Sequence, residues 1–542
     1  MISRLRSATA TPVALGVFFL AVYLLTGSSD LNHNGDTDLR FQTTQAIVDH
    51  ARLWIDHPRW LDTRVAVGRG GHLYAFYAPG QTVMMIPLYI AGKAIAHHLN
   101  QPYDITTLYA ARSLDLFLGA GLAVAFFAFS LAAGYSRRVA ATLTLVLGLA
   151  SVVWPDAQSA LEQTPVDLFV LVAALAAWMF VKGGMSGRRW LLLAGGALGL
   201  AACTRYDAVI FVPAIALYLT FMRLRAGSVR SAGMDMAGYA VALLPFAVLL
   251  GIWDWARFGS PFLTGLHEQT FGGPYLQDLA GLTVSPGKGL LWYLPLILVS
   301  PWAAAPFFRR CPQLASLCGI MVLVPVLFYS AIKYWHGDPS WGPRYLFVAV
   351  PYLVLPLGEV LRSWGRVRVP IRLLFVACVA SGVILNIAAL SVTQWRFWYR
   401  LEVQAESRVN PATWSGQPFH WGAQHYHYYW NLSQSPILIQ LDNVSQVARL
   451  TLGDTSYRYT ARPDPYVSNP AENYPINSFA FWWTDTMHPL LGAGDREGLA
   501  ALLMLLSLAA LGVTLVSLEA PTGARSRPRE DSVSTFAGTL RS

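Results

Sequence analysis

Charge is scarce in this chain, and the scarcity excludes more than any motif does. Only 13% of the 542 residues are Asp, Glu, Lys or Arg, about half the share of an ordinary soluble domain. Cysteine is scarcer still. Cys203, Cys311, Cys318 and Cys378 lie in or beside apolar runs without C-x-x-C spacing, which excludes a disulfide framework and a cysteine zinc site. No self-similar period is present, so solenoids and propellers are excluded. The net charge of +9 is not a nucleic-acid surface, because the basic residues gather in short clusters between apolar runs.

What the chain has is apolar length. Hydrophobic residues make up 54%, and several runs reach the roughly 20 residues that cross a bilayer. The chain reads as an all-α polytopic membrane protein. Basic clusters at Arg4/Arg6, Arg137/Arg138, Lys182/Arg188/Arg189, Arg223/Arg225/Arg230, Arg309/Arg310, Arg362/Arg366/Arg368/Arg372 and Arg525/Arg527/Arg529/Arg541 mark cytoplasmic loops and tails. The apolar run near Pro12–Leu25 has no A-x-A-like site after it and reads as an uncleaved anchor. The 33 residues from Trp190 to Met222 would make one helix about 50 Å long against a core of about 30 Å. That run must therefore go out and return, with its reversal near "CTRYD", Cys203 to Asp207.

About twelve spans result, beginning near 12, 113, 139, 166, 190, 207, 236, 288, 314, 346, 371 and 498. Residues 1–391 form a transmembrane core with a first outer loop of roughly 27–112. Residues 392–497 form an outer segment, 498–517 the last span, and 518–542 a disordered cytoplasmic tail. The stretch from Ala78 to Leu99 is interrupted by Pro87, Lys93, His97 and His98, and reads as an interfacial or re-entrant helix. An amphipathic surface helix is expected from Thr37 onward, with Leu39, Phe41, Ala46, Ile47, Leu53 and Trp54 at roughly helical spacing. In the outer segment, "ILIQLDNVSQVARLTLG" (437–453) alternates as strands do, so this is expected to be a small mixed piece.

The outer connections carry the polar density. Asp36 and Asp38 follow the first span, and Tyr77, Glu162, Arg205, Lys288 and Arg344 stand in loops or at span ends. Asp at a helix start is also a plain capping residue, and that alternative stays open here. Ionisable groups at such depth either serve a function or pair with one another. The stretch "KYWHGDPSWGPRY" (333–345) packs His336, Asp338, Trp341 and Arg344 into one turn. His425 and His427, in "FHWGAQHYHYYW", are candidates for a metal or an acceptor glycan as well as for an interface belt.

Four stretches carry a family resemblance in chain order: "NGDTDLRF", "YAPG…IPLY", "GLTVSPGKGLLWYLP" and "WHGDPSWGPRYL". They resemble the GT-C superfamily of membrane glycosyltransferases, which includes the protein mannosyltransferases and the lipid A aminoarabinose transferases. The resemblance implies a polyprenyl-phosphate sugar donor, a glycan, lipid or protein acceptor, an aspartate base in the first loop, and inversion at the anomeric carbon. It also implies a multi-pass protein of the inner (plasma) membrane whose site faces the periplasm or exterior. Carried onto this sequence, Asp36 or Asp38 is the base, and Arg344, Arg205 and Lys288 hold the donor phosphate. Glu162, Tyr77, His336, Asp338 and Trp341 position substrate. Relatives follow the loop aspartate with an acidic residue. Here Thr37 follows Asp36 and the acid comes at Asp38, and the position after Gly35 favours Asp36. No metal ligand set is assigned, and the resemblance leaves a divalent metal open. A transporter or flippase of a lipid-linked substrate and a glycan polymerase or ligase are the competing classes. The first would show broken helices and a half-repeat, and the second would not need Asp36.

Overall fold

A computed structural model describes residues 2–28, 35–58, 64–227, 229–266, 271–337, 340–406, 426–458, 476–484 and 493–519. The chain is almost wholly helical, and among the described residues the one sheet is a two-stranded hairpin. The N-terminal part comprises α1 (Ile2–Leu25), α2 (Gly35–His50), the hairpin β1 (Val65–Val67) and β2 (Leu73–Ala75), α3 (Pro79–His98), α4 (Tyr103–Arg112), α5 (Leu114–Ala132), α6 (Arg137–Ala150) and α7 (Val153–Ser159). Next come α8 (Gln163–Lys182), α9 (Arg189–Thr204), α10 (Phe211–Arg225), α11 (Val229–Phe258), α12 (Tyr275–Val284), α13 (Leu290–Tyr293), α14 (Ser300–Arg310) and α15 (Pro312–Tyr329). The C-terminal part holds α16 (Val350–Val354), α17 (Gly358–Arg362), α18 (Val369–Ser391), α19 (Gln394–Glu406), α20 (Tyr426–Trp430), α21 (Pro436–Thr451) and α22 (Ala493–Glu519).

Among the described residues, eight helices are long and apolar enough to cross a membrane, or nine if α6 and α7, bent by 54°, count as one. The chain is a multi-pass membrane protein. α8 lies between α5 and α9, α9 also packs on α11, and α1 runs beside α22. Glycine permits the closest approach between α6 and α18, where a Cβ on Gly382 would stand 2.2 Å from the Ala150 carbonyl oxygen. The lipid-facing sides stay apolar, as on α11 at Val241, Leu244, Val248 and Ile252.

Two shorter apolar helices, Ala10–Leu25 and Arg189–Thr204, stand beside these among the described residues, so the expected count of twelve is not confirmed. The element expected from 288 is divided into α13, a 3₁₀ turn at Pro295–Val299 and α14. Pro295 and Pro301 stand at the starts of the second and third pieces, where each lacks an amide donor and crowds the preceding turn. The long run from Trp190 is interrupted at Arg205, whose extended backbone (φ −150°, ψ 121°) separates α9 from the turn leading into α10.

Two further expectations are corrected. The first two turns of α2 are buried almost all round, with Thr37, Asp38, Leu39, Arg40 and Phe41 all inside, so α2 is no surface helix. Its apolar spacing is weak because several of its inward residues are polar. Residues 437–453, expected as strands, form α21 and the turn after it. Its buried positions, Ile437, Gln440, Asn443 and Val447 among them, recur at helical spacing. Gln440 donates to the Ala388 and Val392 carbonyls and Asn443 donates to Gln440. A polar inner stripe of this kind hides the helical period from a hydropathy reading.

Candidate active site

Four elements converge on Asp36. It lies in the first turn of α2, where the helix dipole favours a carboxylate, and its side chain also reaches groups distant in sequence. Tyr77, just past β2, donates its hydroxyl to Asp36 Oδ1 at 2.6 Å. Arg344, 308 residues away, places Nη1 3.4 Å from Oδ2. Arg64, just before β1, stands 3.8 Å from Oδ1. Asp36 is thus a helix-start residue that also meets side chains from three other elements. Asp38 is two positions further on, about 200° round the helix, and is buried away from this face.

Glu162 heads α8 after a tight break whose Ala160 adopts φ 54°. The break turns the Ala160 carbonyl toward the first loop, where Thr37 Oγ1 (2.9 Å) and Gln81 Nε2 (3.1 Å) donate to it. Glu162 pairs with Arg40 at 2.7 Å and with Arg205 at 3.7 Å, and Arg205 also meets Asp207 at 2.8 Å. Arg40 links the two carboxylate centres, since its guanidinium lies 3.9 Å from the centroid of the Tyr77 ring. Arg205 faces Tyr345, which stacks on Tyr329 with centroids 4.8 Å apart.

Burial pushes the Asp36 carboxyl up, but Arg344, Arg64 and Arg40 outweigh it and hold the group below the usual carboxylate range. Glu162 is held low in the same way, burial being outweighed by Arg40 and Arg205. Tyr77 is raised by burial and then by Asp36, so its hydroxyl keeps its proton and stays a donor.

The scaffold around these groups is cross-tied. The hairpin turn passes through Gly70 (φ 71°) and Gly71 (φ 76°), conformations that glycine adopts without penalty. Arg257, at the end of α11, donates to the Ala75 carbonyl, and Trp253 Nε1 donates to the Tyr77 carbonyl at 3.1 Å. Arg257 is itself paired with Asp254 at 2.6 Å, and Tyr206 donates to the same carboxylate at 2.6 Å. One buried ion pair thus fixes both the Tyr77 segment and the residue next to Arg205. Asp254→Ala leaves the Arg257 charge buried and uncompensated, and is expected to cost about 3–5 kcal/mol. Thermal unfolding in detergent measures it, and a shift within error would show that the pair does not hold this corner.

On the opposite wall, Arg344 follows Gly342 and Pro343 and opens a 3₁₀ turn. Lys288 holds that approach: its Nζ donates to the Ser340 carbonyl (2.7 Å), Ser340 Oγ (3.2 Å) and the Gly342 carbonyl (3.3 Å). Gly337, at φ 63°, lies against the arginine, and a Cβ there would stand 2.7 Å from Arg344 Cγ.

The structure therefore brings Asp36, Tyr77, Arg344, Glu162 and Arg205 into one polar group. It turns Lys288 onto the 340–342 loop instead. Trp341 is buried edge-on to Tyr293, and His336 stacks over Tyr429 at 5.2 Å. Asp338 lies outside the described residues, as does His425, and the His427 side chain is likewise not described. Arg40, Arg64, Asp207 and Asp254 belong to the site or its support and were not singled out from the sequence. Arg40 had a signal, since it lies four residues after Asp36 and so on the same helix face. Among the described residues no three His, Cys, Asp or Glu side chains converge as a metal requires. Three guanidinium ions, from Arg344, Arg64 and Arg40, act on Asp36 and repel a cation, so these residues do not fit a divalent metal.

Residues 106–253 match the sequence model of the dolichyl-phosphate-mannose-protein mannosyltransferase family. The match covers 148 of the 542 residues. The matched segment runs from α4 to near the end of α11 and includes Glu162, Arg205 and Trp253. Among solved structures, the chain is similar to ArnT from Cupriavidus metallidurans bound to undecaprenyl phosphate. That match has 15% identity, a TM-score of 0.42, and coverage of 93% of this chain and 75% of that one. It is also similar to the archaeal oligosaccharyltransferase AglB from Archaeoglobus fulgidus, in complex with an inhibitory peptide and a dolichol-phosphate. There the identity is 11%, the TM-score 0.43, and the coverage 79% of this chain and 63% of that one. No curated protein matches the chain.

Proposed function

We propose that this protein transfers a sugar from a polyprenyl-phosphate donor to an acceptor hydroxyl on the outer face of the inner membrane, with inversion at the anomeric carbon. One observation carries the reading: a carboxylate held below the usual carboxylate range stands 3.4 Å from an arginine whose Nε is buried without a hydrogen-bond partner among the described residues. A base and an anion-binding cation side by side are what glycosyl transfer from a phosphate requires. The description of the matched family, which names a dolichyl-phosphate-linked mannose, agrees with that donor class.

In this reaction the acceptor oxygen forms its bond to the anomeric carbon as the carbon–oxygen bond to the phosphate breaks. The bonding pair leaves with the phosphate, and Asp36 takes the acceptor's proton. The leaving phosphate gains negative charge, which Arg344 stabilises by several kcal/mol as a preorganised donor. Arg205 and Glu162 border this space and position substrate. Inversion needs no second carboxylate as nucleophile. The outer-face location is supported by the basic clusters at Arg137/Arg138 and Arg309/Arg310, which mark the opposite side.

The protein reconstituted in vesicles is expected to transfer label from a polyprenyl-phosphate sugar and not from a nucleotide sugar. Label crossing the bilayer without a new glycosidic bond would replace this reading with a transporter. A reporter after Arg138 is expected on the cytoplasmic side, and an external signal there would move the site to the other face.

A further inference from the structure

Arg344 is a poorly satisfied cation. It contacts one carboxylate oxygen, at 3.4 Å, although its guanidinium carries five N–H donors. Its Nε is buried without a partner among the described residues, and its side chain is 11% exposed. The stem is held by packing, with Gly337 against Cγ and the Tyr345 ring 5.3 Å from the guanidinium carbon. Asp36 is held differently. If Arg344 moved off, Asp36 would keep the 2.6 Å hydrogen bond from Tyr77.

We propose that Arg344 is exchanged between two anions in each catalytic cycle: it pairs with Asp36 in the empty site, and the donor phosphate draws it away, so that Asp36 becomes an effective base only once donor is seated. This deepens the function proposed above and rests on it. The physical ground is competition for one fork. A phosphate oxygen pair accepts two parallel N–H bonds, which the single long contact to Asp36 does not match. While Arg344 faces Asp36 the carboxylate is a weak base, and its departure restores proton affinity. Among the described residues, the other groups facing Asp36 include Tyr77, Arg64 from before β1, Arg40 from its own helix, and Glu162 from the head of α8. None of them needs to move. After transfer the phosphate departs, Arg344 returns, and the proton on Asp36 passes to solvent. An acceptor, or water, that reaches the site before the donor meets a base that is switched off.

The test reads the protonation of Asp36 directly. A hydrophobic carbodiimide labels protonated carboxyl groups, and peptide mass spectrometry gives the pH midpoint of labelling at Asp36. The probe ligand is a polyprenyl monophosphate, its binding followed by thermal shift. In the wild-type protein the lipid phosphate is expected to raise the midpoint by about 1–3 pH units, the range for losing an adjacent opposite charge. Arg344→Gln is expected to show the raised midpoint without lipid. Arg344→Lys, which keeps a cation, is expected to stay nearer the wild-type midpoint and serves as the folding control. An unmoved wild-type midpoint with the lipid bound would overturn the exchange while leaving the donor class intact. A wild-type midpoint in lipid-free Arg344→Gln would overturn it too, because the phosphate's own charge would then explain any shift. A lipid phosphate that fails to bind the wild-type protein would overturn the donor reading itself.

Discussion

Asp36→Asn is expected to slow sugar transfer by at least about 10²-fold, the usual cost of losing a general base, in a protein that still folds, inserts and binds donor. Asn has the shape of Asp and can still accept from Tyr77 Oη, which lies 2.6 Å from Asp36 Oδ1. What it lacks is basicity. The loss should fall on turnover more than on donor affinity, because the proton moves in the reaction and not on binding. Asp38→Asn, on the far side of the same helical turn, should be milder. Full activity in Asp36→Asn beside a dead Asp38→Asn would transfer the role to Asp38, and full activity in both would remove the base from the mechanism.

The same substitution has a stability signature with a defined sign. Arg344, Arg64 and Arg40 outweigh burial and depress the folded-state pKa of Asp36. A depressed carboxylate stabilises the folded state above its unfolded pKa of about 3.9, and that contribution is lost as pH falls through the lower folded value. The stability difference between wild type and Asp36→Asn should therefore be constant near neutrality and close only in strong acid. A difference that instead shrinks as pH rises from 4 to 7 would mean that the carboxyl is held protonated, and that the arginines do not govern it.

How much of this was legible in the sequence follows from the range of each interaction. The spans could be read because apolar length is a local property, and the break at Arg205 because a largely apolar run of 33 residues exceeds a bilayer. Asp36, Tyr77, Glu162, Arg205 and Arg344 could be read as candidates because polar residues are costly at such positions. Their assembly could not, since Tyr77 meets Asp36 across 41 residues and Arg344 meets it across 308. Lys288 shows the limit most plainly. By charge and position it belongs with the arginines, yet its ammonium is directed at the Ser340 and Gly342 carbonyls. A lysine that shapes the loop carrying Arg344 is indistinguishable in sequence from one that holds a phosphate. The helix α21 was hidden for the opposite reason: its inner face carries Gln440 and Asn443, satisfied by partners that only the fold supplies.

Arg344→Ala is expected to abolish transfer almost completely, and Arg344→Lys to impair it clearly. A snorkelling anchor would tolerate Lys, since only a long stem and a charge are needed. A phosphate clamp would not, because lysine is a point charge without the planar fork. The geometry favours the clamp. The side chain is turned inward toward Asp36, and Gly337 leaves room for the flat guanidinium stem where a Cβ would clash. The loss should appear both in donor affinity and in turnover, because the phosphate is charged in the ground state and more so as it leaves. Asp36→Asn should by contrast spare donor affinity, so the two variants separate the cation from the base. Transfer from a defined polyprenyl-phosphate sugar, measured beside the amount of folded protein, decides the matter. Wild-type rates in Arg344→Lys would make the residue an anchor, and wild-type rates in Arg344→Ala would take this wall out of the site altogether.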